Sequence, residues 1–100
     1  MLNLEELKLE PFEISFKDEN GENIRMDISE MSMRKVREIE KISLSTNEDI
    51  LNALTIILNE NNSGKEFTKE RAEELFSLSE AKFIIIEYYK WLLAVRKSPN

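Results

Sequence analysis

Carboxylates are the most plentiful groups in this sequence that could take part in chemistry, with 20 Asp and Glu residues among 100. Glu87 stands between the apolar residues Ile86 and Tyr88, as a buried general acid could. Helical geometry, however, places Glu87 on the far side of its helix from Ile85 and Leu92. We therefore interpret Glu87 as a solvent-facing residue and expect no catalytic carboxylate.

The oxygen-rich segment from Asp18 to Glu22 faintly resembles a calcium-binding loop. An EF-hand loop has glycine at its sixth position and a bidentate glutamate at its twelfth. Here Gly21 falls at the fourth position and Ser29 at the twelfth. The segment is therefore predicted to form a plain hairpin turn.

Cysteine and histidine are both absent from the sequence. Disulfides, thiolate metal sites and the commonest general base are therefore excluded. The sequence also has no Gly-rich phosphate loop and no nucleophile elbow. We expect no catalytic residue, no cofactor and no metal. Binding should accordingly be insensitive to chelators and to pH between about 6 and about 8, since unperturbed carboxylates titrate near pH 4.

The charge balance points away from nucleic acid, because the net charge is -6 and the sequence pI is near 4.8. One basic run does occur, and it consists of Arg34, Lys35, Arg37 and Lys41. Glutamates lie before and within this run, at positions 30, 38 and 40, which is typical of a solvated helix face. No stacking aromatic residues accompany it, so we expect no nucleic-acid partner.

Membrane insertion is not expected either. The most apolar stretch, Phe83 to Val95, is short and contains Glu87 and Lys90, whereas a spanning helix needs about 20 apolar residues. The N-terminus is acidic where a secretory signal would be basic. These features predict a cytoplasmic protein.

A single domain is predicted over residues 1–100, with a lead-in arm at 1–11, a β-hairpin at 12–28 and a helical part at 32–97. Leu4 and Leu7 could form one apolar turn in the arm, which Pro11 would end. In the hairpin, apolar residues alternate with polar ones along both strands. A three-residue loop ending at Gly21 pairs the apolar residues, Phe16 with Ile24, Ile14 with Met26 and Phe12 with Ile28, whereas a two-residue loop would put the apolar faces on opposite sides.

Four helical patterns follow the hairpin. The predicted caps are Ser32, then Thr46 or Asn47, then Thr68, and finally Ser77 in a capping box with Glu80. Each helix has a predicted apolar face. In the first helix it consists of Met33, Val36, Ile39 and Ile42, and in the second of Ile50, Ala53, Leu54, Ile57 and Leu58. In the third it consists of Ala72, Leu75 and Phe76, and in the fourth of Ala81, Ile85, Tyr88, Leu92 and Val95. The last helix should run to about Lys97, and residues 68–97 form either one bent helix or two. The predicted fold is mainly α with an N-terminal β-hairpin (α+β), a two-stranded antiparallel hairpin packed on three to four helices.

The fourth helix has a second apolar face opposite its predicted core face. We call this face the outer ridge, and it consists of Phe83, Ile86, Lys90 and Leu93. A helix that serves one core is normally polar on its far side. We therefore predict that the outer ridge binds another protein or a second copy of the chain.

The order of elements resembles the tail assembly chaperones of long-tailed bacteriophages and prophages. The similarity covers nearly the whole chain, and the segments that carry it are the strand pair Phe12–Ile28, the helix from Ser32 to Glu40, the acidic helix start Asn47–Leu51 and the segment Phe67–Leu75. The resemblance implies a non-catalytic protein that keeps the tape-measure protein soluble and helps recruit tail-tube subunits. It also implies a location in the bacterial cytoplasm and absence from the mature virion. The family has no motif-defined binding residues.

The negative net charge of the chain supports a rival hypothesis. An acidic inhibitor could mimic nucleic acid and occupy a basic protein surface, as the net charge of -6 would allow. Lys and Arg are mixed among the acids along much of the chain, so no long stripe of one sign forms. Another small protein-interaction adaptor is the remaining alternative.

Overall fold

The computed structural model describes residues 1–6 and 10–94, which form a hairpin followed by four α-helices. The elements are a 3-10 turn at Leu4–Glu6, β1 (Phe12–Lys17), β2 (Asn23–Ile28), α1 (Met33–Glu40), α2 (Asn47–Leu58), α3 (Lys69–Leu75) and α4 (Leu78–Leu93). The predicted α+β arrangement of an N-terminal antiparallel hairpin packed on helices is confirmed.

The hairpin has the predicted three-residue loop and register. Phe12 pairs with Ile28, Ile14 with Met26 and Phe16 with Ile24. At the turn the Asp18 N–H donates to the Glu22 carbonyl over 2.9 Å, and Gly21 has a φ of 77°, a left-handed value that suits glycine. All the apolar side chains therefore lie on one face.

The free edge of β2 is covered by the loop after α2. The Ser29 N–H donates to the Glu60 carbonyl, and the Asn62 N–H donates to the Asp27 carbonyl, both over 2.9 Å. Ile28 forms an isolated bridge with Asn61. These bonds satisfy backbone groups that would otherwise form an exposed strand edge, and they fix the hairpin against the helices.

Side-chain caps begin each helix where the sequence places them. Ser32, Thr46, Thr68 and Ser77 accept hydrogen bonds from backbone N–H groups three residues later. Thr46 is therefore the cap of α2, and Asn47 is its first helical residue. Phe76 is extended, so residues 69–93 form two helices. The predicted end of the last helix near Lys97 is wrong, because α4 ends at Leu93 and Ala94 is extended; residues 95–97 lie outside the described residues.

One hydrophobic core joins the hairpin to the helices. Its fully buried centre consists of Ile28, Ala53, Leu54, Ile57, Leu58, Ala72 and Tyr88. Met31, just before α1, is also buried, whereas Met33 is 79% exposed. The prediction that Met33 belongs to the core face of α1 is therefore wrong. Leu4 is exposed, so the described part of the arm does not pack it against the core; Leu7, its predicted partner in an apolar turn, lies outside the described residues.

Candidate protein-interaction surface

The inner face of α4 is the predicted core face. Ala81, Ile85 and Tyr88 are buried on it, and Leu92 is half-buried. Val95, which was predicted to continue this face, lies outside the described residues. The inner face of α4 is thus occupied by the rest of the chain.

Tyr88 joins α4 to the segment between the hairpin and α1. Its hydroxyl donates to the Ser29 carbonyl over 2.6 Å and accepts from the Met31 N–H over 3.2 Å. Its ring meets Phe12 edge-on at a centroid distance of 5.4 Å and lies at the same distance from Trp91. A residue with no exposed surface therefore satisfies two backbone groups and holds the hairpin on α4.

The outer ridge lies in solvent. Phe83 is 65% exposed, Ile86 53% and Leu93 74%, as the sequence predicts for a face that the core does not use. Lys90 is also exposed, and its Nζ lies 3.3 Å from the carboxylate of Glu87. The structure thus places all four predicted residues together on one side of one helix.

Glu87 stands at the edge of the outer ridge and is more enclosed than expected. Its side chain is 36% exposed, and it lines a groove with Phe83 and Ile84. Its partner is Lys90, one helical turn further on. The carboxylate is therefore a paired group beside the apolar ridge.

Two open grooves flank the outer ridge. The hairpin groove has a volume of about 370 Å³ and separates β1 from α4. The α1–α4 groove has a volume of about 600 Å³ and is lined on one side by Ile39, Ile42 and Leu44, and on the other by Ile86, Tyr89 and Leu93. The ridge therefore stands between two recesses, one of which extends the apolar surface toward α1.

Tyr89 is a residue of the α1–α4 groove that sequence reasoning did not single out. It lies on the helix between the inner face and the outer ridge, where periodicity assigns it to neither side. Its hydroxyl is buried and reaches no hydrogen-bond partner among the described residues. Burial, together with the carboxylate of Glu40, raises the pKa of this phenol.

Outside the outer ridge, acidic and basic side chains are largely interspersed. Among the described residues, Lys69 pairs with Glu48 over 3.0 Å, and the two guanidinium nitrogens of Arg71 bond both carboxylate oxygens of Glu19 over 3.2 and 3.3 Å. Other pairs are Arg25 with Glu13 and Lys35 with Glu60. The hydrogen bond from Lys35 to Glu60 raises the pKa of this lysine.

The described part of the chain shows neither a metal site nor a membrane-spanning helix. Among residues 1–6 and 10–94 no group of three or more acidic, His or Cys side chains could hold a metal ion. Within the same residues, no helix combines the length and the apolar character that crossing a bilayer requires. Comparison with protein-family models, with curated proteins and with solved structures finds no significant match to this chain.

Proposed function

We propose that this chain is a non-catalytic phage or prophage tail assembly chaperone, which binds the tape-measure protein and tail-tube subunits through the outer ridge. The observation that carries the proposal is the exposure of Phe83, Ile86 and Leu93 on a helix whose inner face is already buried. The choice of partner comes from the order of elements, which resembles that family.

The expected free energy of binding suits a chaperone that must release its partner. Burying one large apolar side chain contributes about 1.5–3 kcal/mol, so three such residues make a limited contribution to the free energy of binding. Association itself costs at least about 4 kcal/mol in lost freedom of motion. The α1–α4 groove adds apolar area beside the ridge. The expected complex is therefore of moderate affinity and readily reversed.

The acidic-inhibitor alternative receives less support. A phosphate mimic needs a patch of unpaired carboxylates, but Glu48 and Glu19 are each paired with a basic side chain. Lys and Arg also occur on α1, α3 and α4. A basic nucleic-acid-binding protein would therefore meet mixed charge over much of the described surface.

The test is co-expression with the tape-measure and tail-tube proteins of the phage or prophage that encodes this chain. The wild-type chain should raise the soluble fraction of the tape-measure protein and co-purify with it. The double variant Ile86→Glu with Leu93→Glu should lose both effects, because carboxylates on the ridge would have to be desolvated on binding.

A matched control places the same chemical change elsewhere. Leu4 and Met33 are exposed apolar residues outside α4. The variant Leu4→Glu with Met33→Glu should bind as the wild type does, and thermal melts should show both variants folded. Unchanged binding of the ridge variant, or equal loss in the control, would refute the proposed surface. Absence of any complex with the wild type would refute the proposed partners.

A further inference from the structure

We propose that the outer ridge also binds a second copy of this chain, with the two α4 helices antiparallel about a two-fold axis. If the proposed function holds, this contact covers the ridge until the partner displaces it. The spacing and the charges of the ridge residues support the self-association.

The spacing of the ridge is nearly the same in both directions. Phe83 and Leu93 each stand five positions from Tyr88, and Ile86 and Lys90 each stand two positions from it. Suppose that the two-fold axis crosses the outer side of α4 at the level of position 88. Antiparallel helices would then place Phe83 on Leu93 of the second copy. Ile86 would lie on the aliphatic stem of Lys90 of the second copy, a contact that keeps the ammonium group at the rim. The ridge is therefore self-complementary, as an isologous contact requires.

The charges select the antiparallel direction. Glu87 and Lys90 of one chain already lie 3.3 Å apart at the edge of the ridge. Antiparallel packing would bring Lys90 of the second copy over Ile86 and beside Glu87, so that opposite charges meet twice. Parallel packing would instead oppose Lys90 to Lys90, which is unfavourable.

The available area indicates a weak dimer. A helix of 16 residues is about 24 Å long, and a standard interface buries about 800 Å² per partner. The area of such an interface is about a tenth of the chain's 7446 Å² surface, and the outer ridge alone has a smaller area than that. The α1–α4 groove, with Ile42 and Leu44 at its far wall, supplies adjoining apolar surface for the second copy. The dimer should therefore dissociate on dilution.

Charge reversal in the purified chain provides the test, with sedimentation velocity across a dilution series as the measurement. Glu87→Lys alone and Lys90→Glu alone should each weaken the wild-type dimer by about tenfold, because like charges then meet across the axis. The variant that carries both reversals should dimerise as the wild type does. An equimolar mixture of the two single variants should form a mixed dimer. Glu74→Lys and Lys65→Glu repeat the charge changes at exposed positions outside α4 and should have no effect.

A wild-type chain that stays monomeric at every concentration would overturn the proposal. So would a dimer that is indifferent to both single charge reversals, Glu87→Lys and Lys90→Glu, or single variants that the double reversal does not rescue. None of these three results concerns the tape-measure protein, so the proposed function is decided separately by co-expression. A ridge that binds the tape-measure protein but not a second copy would leave only the first proposal standing.

Discussion

The two sides of α4 have similar composition but different surroundings. Ile85 on the inner face is 5% exposed, while Ile86, the next residue along, is 53% exposed. Tyr88 on the inner face bonds two backbone groups, whereas the buried hydroxyl of Tyr89, between the inner face and the outer ridge, makes no hydrogen bond with a described residue. The inner face is therefore covered by the rest of the chain, and the outer ridge is not.

This contrast shows why apolar content alone does not separate core from interface. An amphipathic helix normally directs its polar side to water, and α4 is apolar on two sides. The hairpin, α2 and the segment before α1 supply enough surface to cover one side only. The second side is then available for a contact outside the chain, and neighbouring residues should respond differently to the same substitution.

The largest effect is expected from Ile85→Glu compared with Ile86→Glu. A glutamate at position 85 would place an uncompensated charge in the core, which costs about 3–5 kcal/mol and is a large part of the 5–15 kcal/mol that stabilises a typical domain. Ile86→Glu should leave the free energy of unfolding within about 0.5 kcal/mol of the wild type. Urea denaturation followed by circular dichroism measures both. If Ile86→Glu destabilises the chain as strongly as Ile85→Glu does, position 86 belongs to the core and both proposals for the ridge fail.

The two adjacent tyrosines give a smaller contrast. Tyr88→Phe leaves the Ser29 carbonyl and the Met31 N–H without their hydrogen bonds, which should cost about 2 kcal/mol in the free energy of unfolding. Tyr89→Phe removes a buried hydroxyl that has no hydrogen-bond partner in the described chain. The substitution removes only the interaction with the Glu40 carboxylate, so it should cost less stability than Tyr88→Phe does.

Urea denaturation of the same two variants near neutral pH is the measurement. Each variant serves as the control for the other, because both remove one hydroxyl from α4 and keep the ring. Equal destabilisation by the two substitutions would show that the Tyr89 hydroxyl has a stabilising partner and that the two tyrosines do not differ in hydrogen bonding.

Most of the fold could be predicted because its signals are local. Gly21 and the alternation of apolar residues specify the hairpin register, and the caps at Ser32, Thr68 and Ser77 specify where three helices begin. Helix periodicity also located the outer ridge. Each of these features depends on residues that are close in the sequence.

Features that depend on distant contacts were missed. Met31 is buried and Met33 exposed, because the Tyr88 hydroxyl fixes the backbone just before α1 and no local pattern indicates this. The raised pKa and the burial of the Tyr89 hydroxyl depend on Glu40 and on the groove that α1 forms with α4.

The smallest effect is expected from alkaline titration of Tyr89. Burial and the Glu40 carboxylate raise the pKa of its phenol above the ordinary value of 10.0. The unfolded chain therefore loses this proton at lower pH than the folded chain does. The associated stability is fully present below about pH 10 and is lost as the pH rises through the folded pKa. Urea denaturation between about pH 9 and about pH 11 should show a steeper fall in stability for the wild type than for Tyr89→Phe. If the two proteins lose stability in parallel over this range, then Tyr89 titrates alike in both states, and the enclosure inferred for its hydroxyl is wrong.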